Sequence, residues 1–144
     1  MINEDTIKLL RECDAGVKMG VDSINSVLDK VESKGFEKLL TDCKNAHSTL
    51  EDEIRERLNE FHDEGKSPNP IASGMSKAKT GVMMMASPSD QTVADLMTDG
   101  CNMGVKSLNK YLNQYKAADE VSKDIAKRLI NLEEKLAVDI RSYL

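Results

Sequence analysis

The sequence predicts an all-α protein: two similar helical hairpins joined by a short bridging helix and packed as one bundle over residues 1–144. Three observations lead there. The chain repeats itself. Gly16, Met19, Gly20, Val21, Ser23, Asn25 and Leu28 recur as Gly100, Met103, Gly104, Val105, Ser107, Asn109 and Leu112, always 84 positions on. Asn45, Leu50, Ile54, Arg55 and Leu58 recur as Asn131, Leu136, Ile140, Arg141 and Leu144, 86 positions on. The two-residue slip falls between the matched blocks, where a turn absorbs it. Second, the apolar residues step by three and four, the helical period, with no period-two alternation. Third, aromatics are 3% of the chain, with no Trp, while charged residues are 31%. A core of Leu, Ile, Val and Met under a solvated charged surface suits helices packed on helices.

In the first helix Ile7, Leu10, Asp14, Val17, Val21, Ile24, Leu28 and Val31 form the inner stripe. Asn3 is placed to cap it, and Glu4 and Asp5 suit the positive end of the helix dipole. Ser33-Lys34-Gly35 interrupts the pattern. The stripe resumes at Phe36, Leu40, Cys43, His47, Leu50, Ile54, Leu58 and Phe61. Each helix spans about 28 residues, or about 42 Å. So short a break folds the two antiparallel, giving hairpin one over residues 1–64. Residues 65–86 hold the linker GKSPNP and a shorter stripe, Ile71, Met75, Ala78, Val82 and Met85, with Asn69 as cap and Pro70 at the first helical position. Hairpin two covers 87–144. Ser87, Pro88 and Asp90 suggest a capping box at its start. Leu96, Cys101, Val105, Leu108, Leu112 and Tyr115 line its first helix. After a turn at Ala117-Ala118-Asp119, Ile125, Leu129, Leu132, Leu136, Ile140 and Leu144 line its second.

Charge and targeting signals exclude several classes. The net charge is −5 and uneven: residues 1–66 carry ten basic and sixteen acidic groups, whereas residues 67–86 carry two lysines and no acid. No Lys/Arg cluster of the kind nucleic acid needs is present, so the charges read as a solvated surface. The N-terminal MINEDTIKLL has neither a basic region nor an apolar stretch of a secretory leader. No apolar run approaches the ~20 residues of a membrane span. Cys13, Cys43 and Cys101 are odd in number and lack CxxC spacing, which points to reduced thiols in the cytoplasm. No Ser/His/Asp set, phosphate loop or zinc spacing is present, and His62 suits the C-terminal end of helix two.

Two sets of residues stand out against the helical pattern. Gly16, Gly20, Gly100 and Gly104 sit in helix interiors, where each costs roughly 1 kcal/mol against Ala. The spacing predicts close backbone approach between the first helices of the two hairpins; room for a ligand or water beside Met19 and Met103 is the alternative. Bulk at Gly20 or Gly104 is then predicted to destabilise the fold. Asp14 and His47 fall on the apolar stripes, and their repeat partners are Thr98 and Glu133, so each long helix carries one polar residue at a corresponding place. Buried polar groups must be paired. Either they form a hydrogen-bonded network, with His47 bonded to Glu133 or a nearby acid, or they bind a metal from facing helices.

The segment Leu96–Tyr111, LMTDGCNMGVKSLNKY, its counterpart Leu10–Leu28, and the bridge SGMSKAKTGVMMMASPSD carry a resemblance to the ferritin-like superfamily. More closely, the chain looks like an uncharacterised bacterial group of small ferritin-like proteins catalogued as a domain of unknown function. The resemblance implies a ferritin-like four-helix bundle. It also implies where iron would bind: a Glu on helices one and three, and Glu-x-x-His on helices two and four. This chain departs from that set. It has Lys44-x-x-His47 and Ile130-x-x-Glu133, and Thr98 or Asp99 where the third-helix Glu belongs. Asp14, His47 and Glu133 remain as metal candidates, and no catalytic or cofactor-binding residue is predicted. The expectation is a non-enzymatic interaction or structural module without a stoichiometric di-iron centre. The alternative is an iron-binding or redox protein with a degenerate carboxylate/His site. Periodic stripes usually mean core, so Met75, Val82 and Met85 are expected to pack on the bundle; a bridge surface around Met83-Met84-Met85, open to a protein partner or to self-association, is the alternative. Neither nucleic acid nor membrane is expected as a partner.

Overall fold

The computed structural model describes residues 4–144, apart from the side chains of residues 71, 72, 75 and 76. Five α-helices account for most of the described residues: α1 (Glu4–Leu28), α2 (Lys34–Glu60), α3 (Pro70–Ala86), α4 (Asp90–Gln114) and α5 (Glu120–Asp139), followed by a 3₁₀ turn at Arg141–Tyr143. No strand occurs among the described residues, and no helix there is long and apolar enough to cross a membrane. The expected Asn3 cap and the side chains of Ile71 and Met75 lie outside the described residues.

Contacts at the ends of the helices fix their directions. At one end the Asp119 N–H donates to the Thr6 hydroxyl at 2.8 Å, the Ala117 N–H donates to Asp5, and Arg11 grips Asp63. The starts of α1 and α5 and the ends of α2 and α4 therefore meet there. At the other end Asp90 accepts from the backbone N–H groups of Glu32 and Ser33 at 2.8 and 2.9 Å, and the Phe36 and Tyr143 rings stack 4.3 Å apart. The order is up, down, down, up. α3, about 25 Å long, carries the chain from one end back to the other, lying against α1 and α4.

The turns differ from the sequence expectation in instructive ways. α1 stops at Leu28, three residues before the apolar stripe ends. Val31 still packs on the core, but Glu32 and Ser33 turn their N–H groups to Asp90 instead of continuing the helix. Ser33 then caps α2 through the Phe36 N–H. α4 is capped by Ser89, whose hydroxyl accepts from the Thr92 N–H, and not by Ser87; Pro88 lies outside the helix. Starting at Asp90 frees that carboxylate to bind the α1–α2 turn, a contact a helix begun at Pro88 would lose. α5 ends at Asp139, so Leu144 leaves the stripe and is half exposed.

On α3 the register is rotated. Met84 is the buried methionine, whereas Val82 and Met85 face solvent at 67% and 88% exposure. The expectation that Val82 and Met85 pack on the bundle is corrected accordingly. Elsewhere the α2 and α5 stripes lie inward as read. α1 also buries Leu9, Cys13 and Val27, and α4 buries Val93, Ala94 and Met97 while Leu96, Val105 and Leu112 are only partly buried. The buried apolar residues form two clusters. One holds Leu9, Val17, Leu50, Ile54, Leu108 and Leu129. The other holds Ile24, Phe36, Leu40, Met97, Leu136 and Ile140.

Candidate functional site

A polar layer separates the two apolar clusters. On α1 it falls at Gly20, between Val17 and Ile24; on α2 at His47, between Cys43 and Leu50. On α4 it falls at Gly104, between Cys101 and Leu108; on α5 at Glu133, between Ile130 and Leu136. His47 is 1% exposed and Glu133 is 9% exposed. The imidazole Nε2 sits 2.9 Å from Glu133 Oε1. Nδ1 sits 2.8 Å from the carbonyl oxygen of Cys43, one turn earlier on the same helix, and 3.5 Å from the Cys43 thiol. The predicted His47–Glu133 bond is therefore present, and it joins residues 86 positions apart, the repeat offset of these helices.

The hydrogen bonds constrain the protons. A carbonyl oxygen only accepts, so Nδ1 carries a hydrogen and donates it to Cys43. Nε2 and Glu133 share one further proton. Burial alone would lower the pKa of His47, because a charged imidazole loses its hydration. The hydrogen bonds to Cys43 and Glu133, with the Glu133 charge, outweigh that loss and raise it to about 10. At neutral pH the ring is therefore an imidazolium that donates from both nitrogens. The neighbouring thiols respond in the ordinary direction. Burial, then the charge of Glu133 and a hydrogen bond to it, pushes the Cys101 thiol well above its usual value. Burial pushes Cys13 up to about 12, helped by Glu12 and Asp14. All three cysteines are free and buried.

Gly20 owes its place to this pair. A Cβ at Gly20 would lie 2.8 Å from His47 Cδ2 and 2.9 Å from Nε2, so the ring occupies the space a side chain would fill. A Cβ at Gly104 would meet the Glu133 carboxyl carbon at 3.6 Å. At Gly16 the nearest atom is Leu129 Cδ2 at 3.7 Å, and at Gly100 nothing among the described residues lies within 4 Å. The expectation of helix-to-helix backbone approach gives way, at Gly20, to side-chain room for the imidazole. It yields a paired prediction. Gly20→Ala lowers stability by about 1–3 kcal/mol because the buried ring must move. Gly100→Ala raises it by roughly 0.5–1 kcal/mol through helix propensity alone. Urea midpoints that shift alike for both variants would show that the ring does not depend on Gly20.

The other sequence candidates lie apart from the pair. Asp14 is 3% exposed. Its carboxylate accepts from Lys18 Nζ at 2.8 Å and from the Lys66 backbone N–H at 2.9 Å. Gly65, at φ +84°, brings the backbone so close that a Cβ there would collide with Asp14. Asp14 thus anchors the loop between α2 and α3. A cleft of about 250 Å³ opens beside it, with walls including Lys18, Arg55, Asp63 and Glu64. Several of its charges already have partners: Lys18 holds Asp14, Arg11 holds Asp63 and Arg55 holds Glu51. Thr98 returns its hydroxyl to the Ala94 carbonyl at 2.8 Å. Sequence reasoning missed the anchoring role of Asp14. The one signal for it was GKSPNP, where Gly65 permits the left-handed turn.

A metal does not fit this arrangement. Of Asp14, His47 and Glu133, only the last two meet. Both imidazole nitrogens are engaged, one with a carbonyl and one with a carboxylate, so no ring lone pair is free to bind. Cys43 and Glu133 face opposite edges of the ring and cannot join His47 around one ion. No group of three or more His, Cys, Asp and Glu among the described residues is arranged to hold a metal. No protein-family model, curated protein or solved structure matches the chain.

Proposed function

We propose that this chain is a non-enzymatic helical bundle of ferritin-like layout that acts through its surface, as an interaction or structural module. In this reading two hairpins descend from one duplicated unit. Support comes from the offsets of 84 and 86 and the up, down, down, up order with α3 crossing back. The contact of the repeat-related His47 and Glu133 adds to it. The observation that carries the reading is the engagement of both His47 nitrogens, which turns the position of a metal ligand into a clasp between the hairpins. The cysteines offer no alternative chemistry: buried thiols with pKa values raised by burial, such as Cys13 and Cys101, are poor nucleophiles.

Buried polar pairs are best attested as devices that fix register. Sliding α2 past α5 by one turn would set the imidazolium against Leu129 or Leu136, and that mismatch rules out the slipped packing. Elemental analysis of protein purified without chelator tests the proposal. The expected metal content is well below one ion per chain, and unchanged in His47→Leu. About two irons per chain, the loading of a di-iron bundle site, lost in His47→Leu, would overturn it.

A further inference from the structure

We propose that the outer face of α3 is a docking surface for a second copy of this chain, an inference that rests on the surface-acting reading above. α3 is amphipathic in the wrong sense for a bundle helix. Among the described residues its side toward α1 is largely polar: Ser73, Thr80 and the still-exposed Lys77 border a space of about 10 Å³ together with Met19, Asp22, Ser23 and Ser26 of α1. Met84 is the one buried hydrophobic side chain of α3 among the described residues. The outer side carries Gly74, Ala78, Gly81, Val82 and Met85, all exposed. Among the described residues, added Cβ atoms at Gly74 and Gly81 would meet nothing within 4 Å, so no packing described there requires glycine. Spacing of four, three and four residues along Gly74, Ala78, Gly81 and Met85 makes a low, apolar track on which another helix can lie close.

Charge selects the occupant. The chain is acidic overall, yet α3 carries Lys77 and Lys79 and no acid. Acids flank it on both sides. Asp22 of α1 lines the space beside Lys77, and Asp99 of α4 lies 3.6 Å from Lys79, with Asp95 exposed one turn earlier on the same helix. A basic ridge between acidic banks is complementary to itself. When two copies meet about a two-fold axis with their α3 helices antiparallel, the lysines of each reach the acids of the other, as an isologous interface requires. The same acidic banks oppose an anionic membrane. A helix about 25 Å long covers less than a standard ~1,600 Å² interface, so the dimer is weak, with a dissociation constant on the order of 1–100 µM.

Sedimentation velocity from ~1 to ~500 µM, a range that brackets such a constant, tests this on the whole chain. The expected result is a reversible monomer–dimer equilibrium that weakens with salt, as screened charge pairs must. Gly81→Glu adds an acid where the partner's acids lie and should weaken association at least tenfold. It leaves helix content intact, because its side chain enters open space. Lys77→Glu/Lys79→Glu should weaken self-association likewise, yet pair with Asp22→Lys/Asp95→Lys/Asp99→Lys in a mixture. A chain that stays monomeric at every concentration overturns the proposal, as does a dimer indifferent to Gly81→Glu. A monomeric, metal-free protein removes this dimer and leaves the reading of the core intact. A metal-loaded protein that still dimerises through α3 does the reverse.

Discussion

Glu133→Ala should cost about 3–5 kcal/mol of stability, the penalty for stranding one member of a buried ion pair. The residue left behind, His47, is only 1% exposed. It must either stay charged in an apolar layer or give up its proton, and both choices cost free energy. Single domains are stable by only ~5–15 kcal/mol, so this one change removes a fifth or more of the total. At this chain length it lowers the melting temperature by about 10 °C or more. Glu133→Gln separates charge from hydrogen bonding. Its amide oxygen still accepts from Nε2, and the expected loss shrinks to about 1–3 kcal/mol. Replacing both partners by leucine should cost far less than Glu133→Ala, because two apolar side chains suit the clusters on either side. A coupling energy above about 2 kcal/mol across the cycle is therefore expected. A Glu133→Ala variant within ~1 kcal/mol of the parent in urea unfolding, about the worth of one ordinary hydrogen bond, would show that the pair does not hold the hairpins.

Much of this arrangement was legible in the residues, because helices are dictated by local periodicity. The inner stripes of α2 and α5 follow the three-and-four spacing closely, whereas the buried faces of α1 and α4 are wider and take in Leu9, Cys13, Val27, Val93 and Met97. The offset that relates His47 to Glu133 also pointed to their contact. What was not legible depends on contacts between distant segments. Ser87 and Ser89 are equally good caps in isolation, and the choice is made by Asp90, which must reach the N–H groups of Glu32 and Ser33. Asp14 reads as a core polar position because it is one. Yet its partners are the neighbouring Lys18 and the backbone of Lys66, 52 residues away in a loop with no periodicity. α3 carries three consecutive methionines, so its apolar stripe could be drawn on either of two faces. The polar side chains of α1 settled it by taking the inner one. At Gly20 the missing side chain leaves a space that a Cβ would close. Which atoms fill that space, the ring of His47 and not a helix backbone, depends on side-chain direction, and spacing alone does not encode it.

The clasp should also make the protein lose stability as the solution turns alkaline. In an unfolded chain His47 titrates near 6.5; in the fold it is held protonated to about 10, because its bonds to Cys43 and Glu133 outweigh the cost of burial. A basic group whose folded pKa is raised stabilises the native state fully below the unfolded value. There both states carry the proton, and the folded state alone has the partner for it. Between about 6.5 and about 10 the unfolded chain releases a proton the native state keeps. Stability then falls by up to ~1.4 kcal/mol per pH unit. Above about 10 the contribution is gone. Cys13 and Cys101, their thiols raised by burial, push the same way once the unfolded thiols ionise, near 9. The comparison must therefore be with a chain that retains them. His47→Leu/Glu133→Leu does so. Urea unfolding at pH 6 and pH 9 should show the parent losing about 2–3 kcal/mol more than this variant, the linkage expected for one retained proton. Parallel losses in the two proteins would mean that His47 is not the proton carrier, and that the 2.9 Å contact with Glu133 joins a neutral ring to the far hairpin.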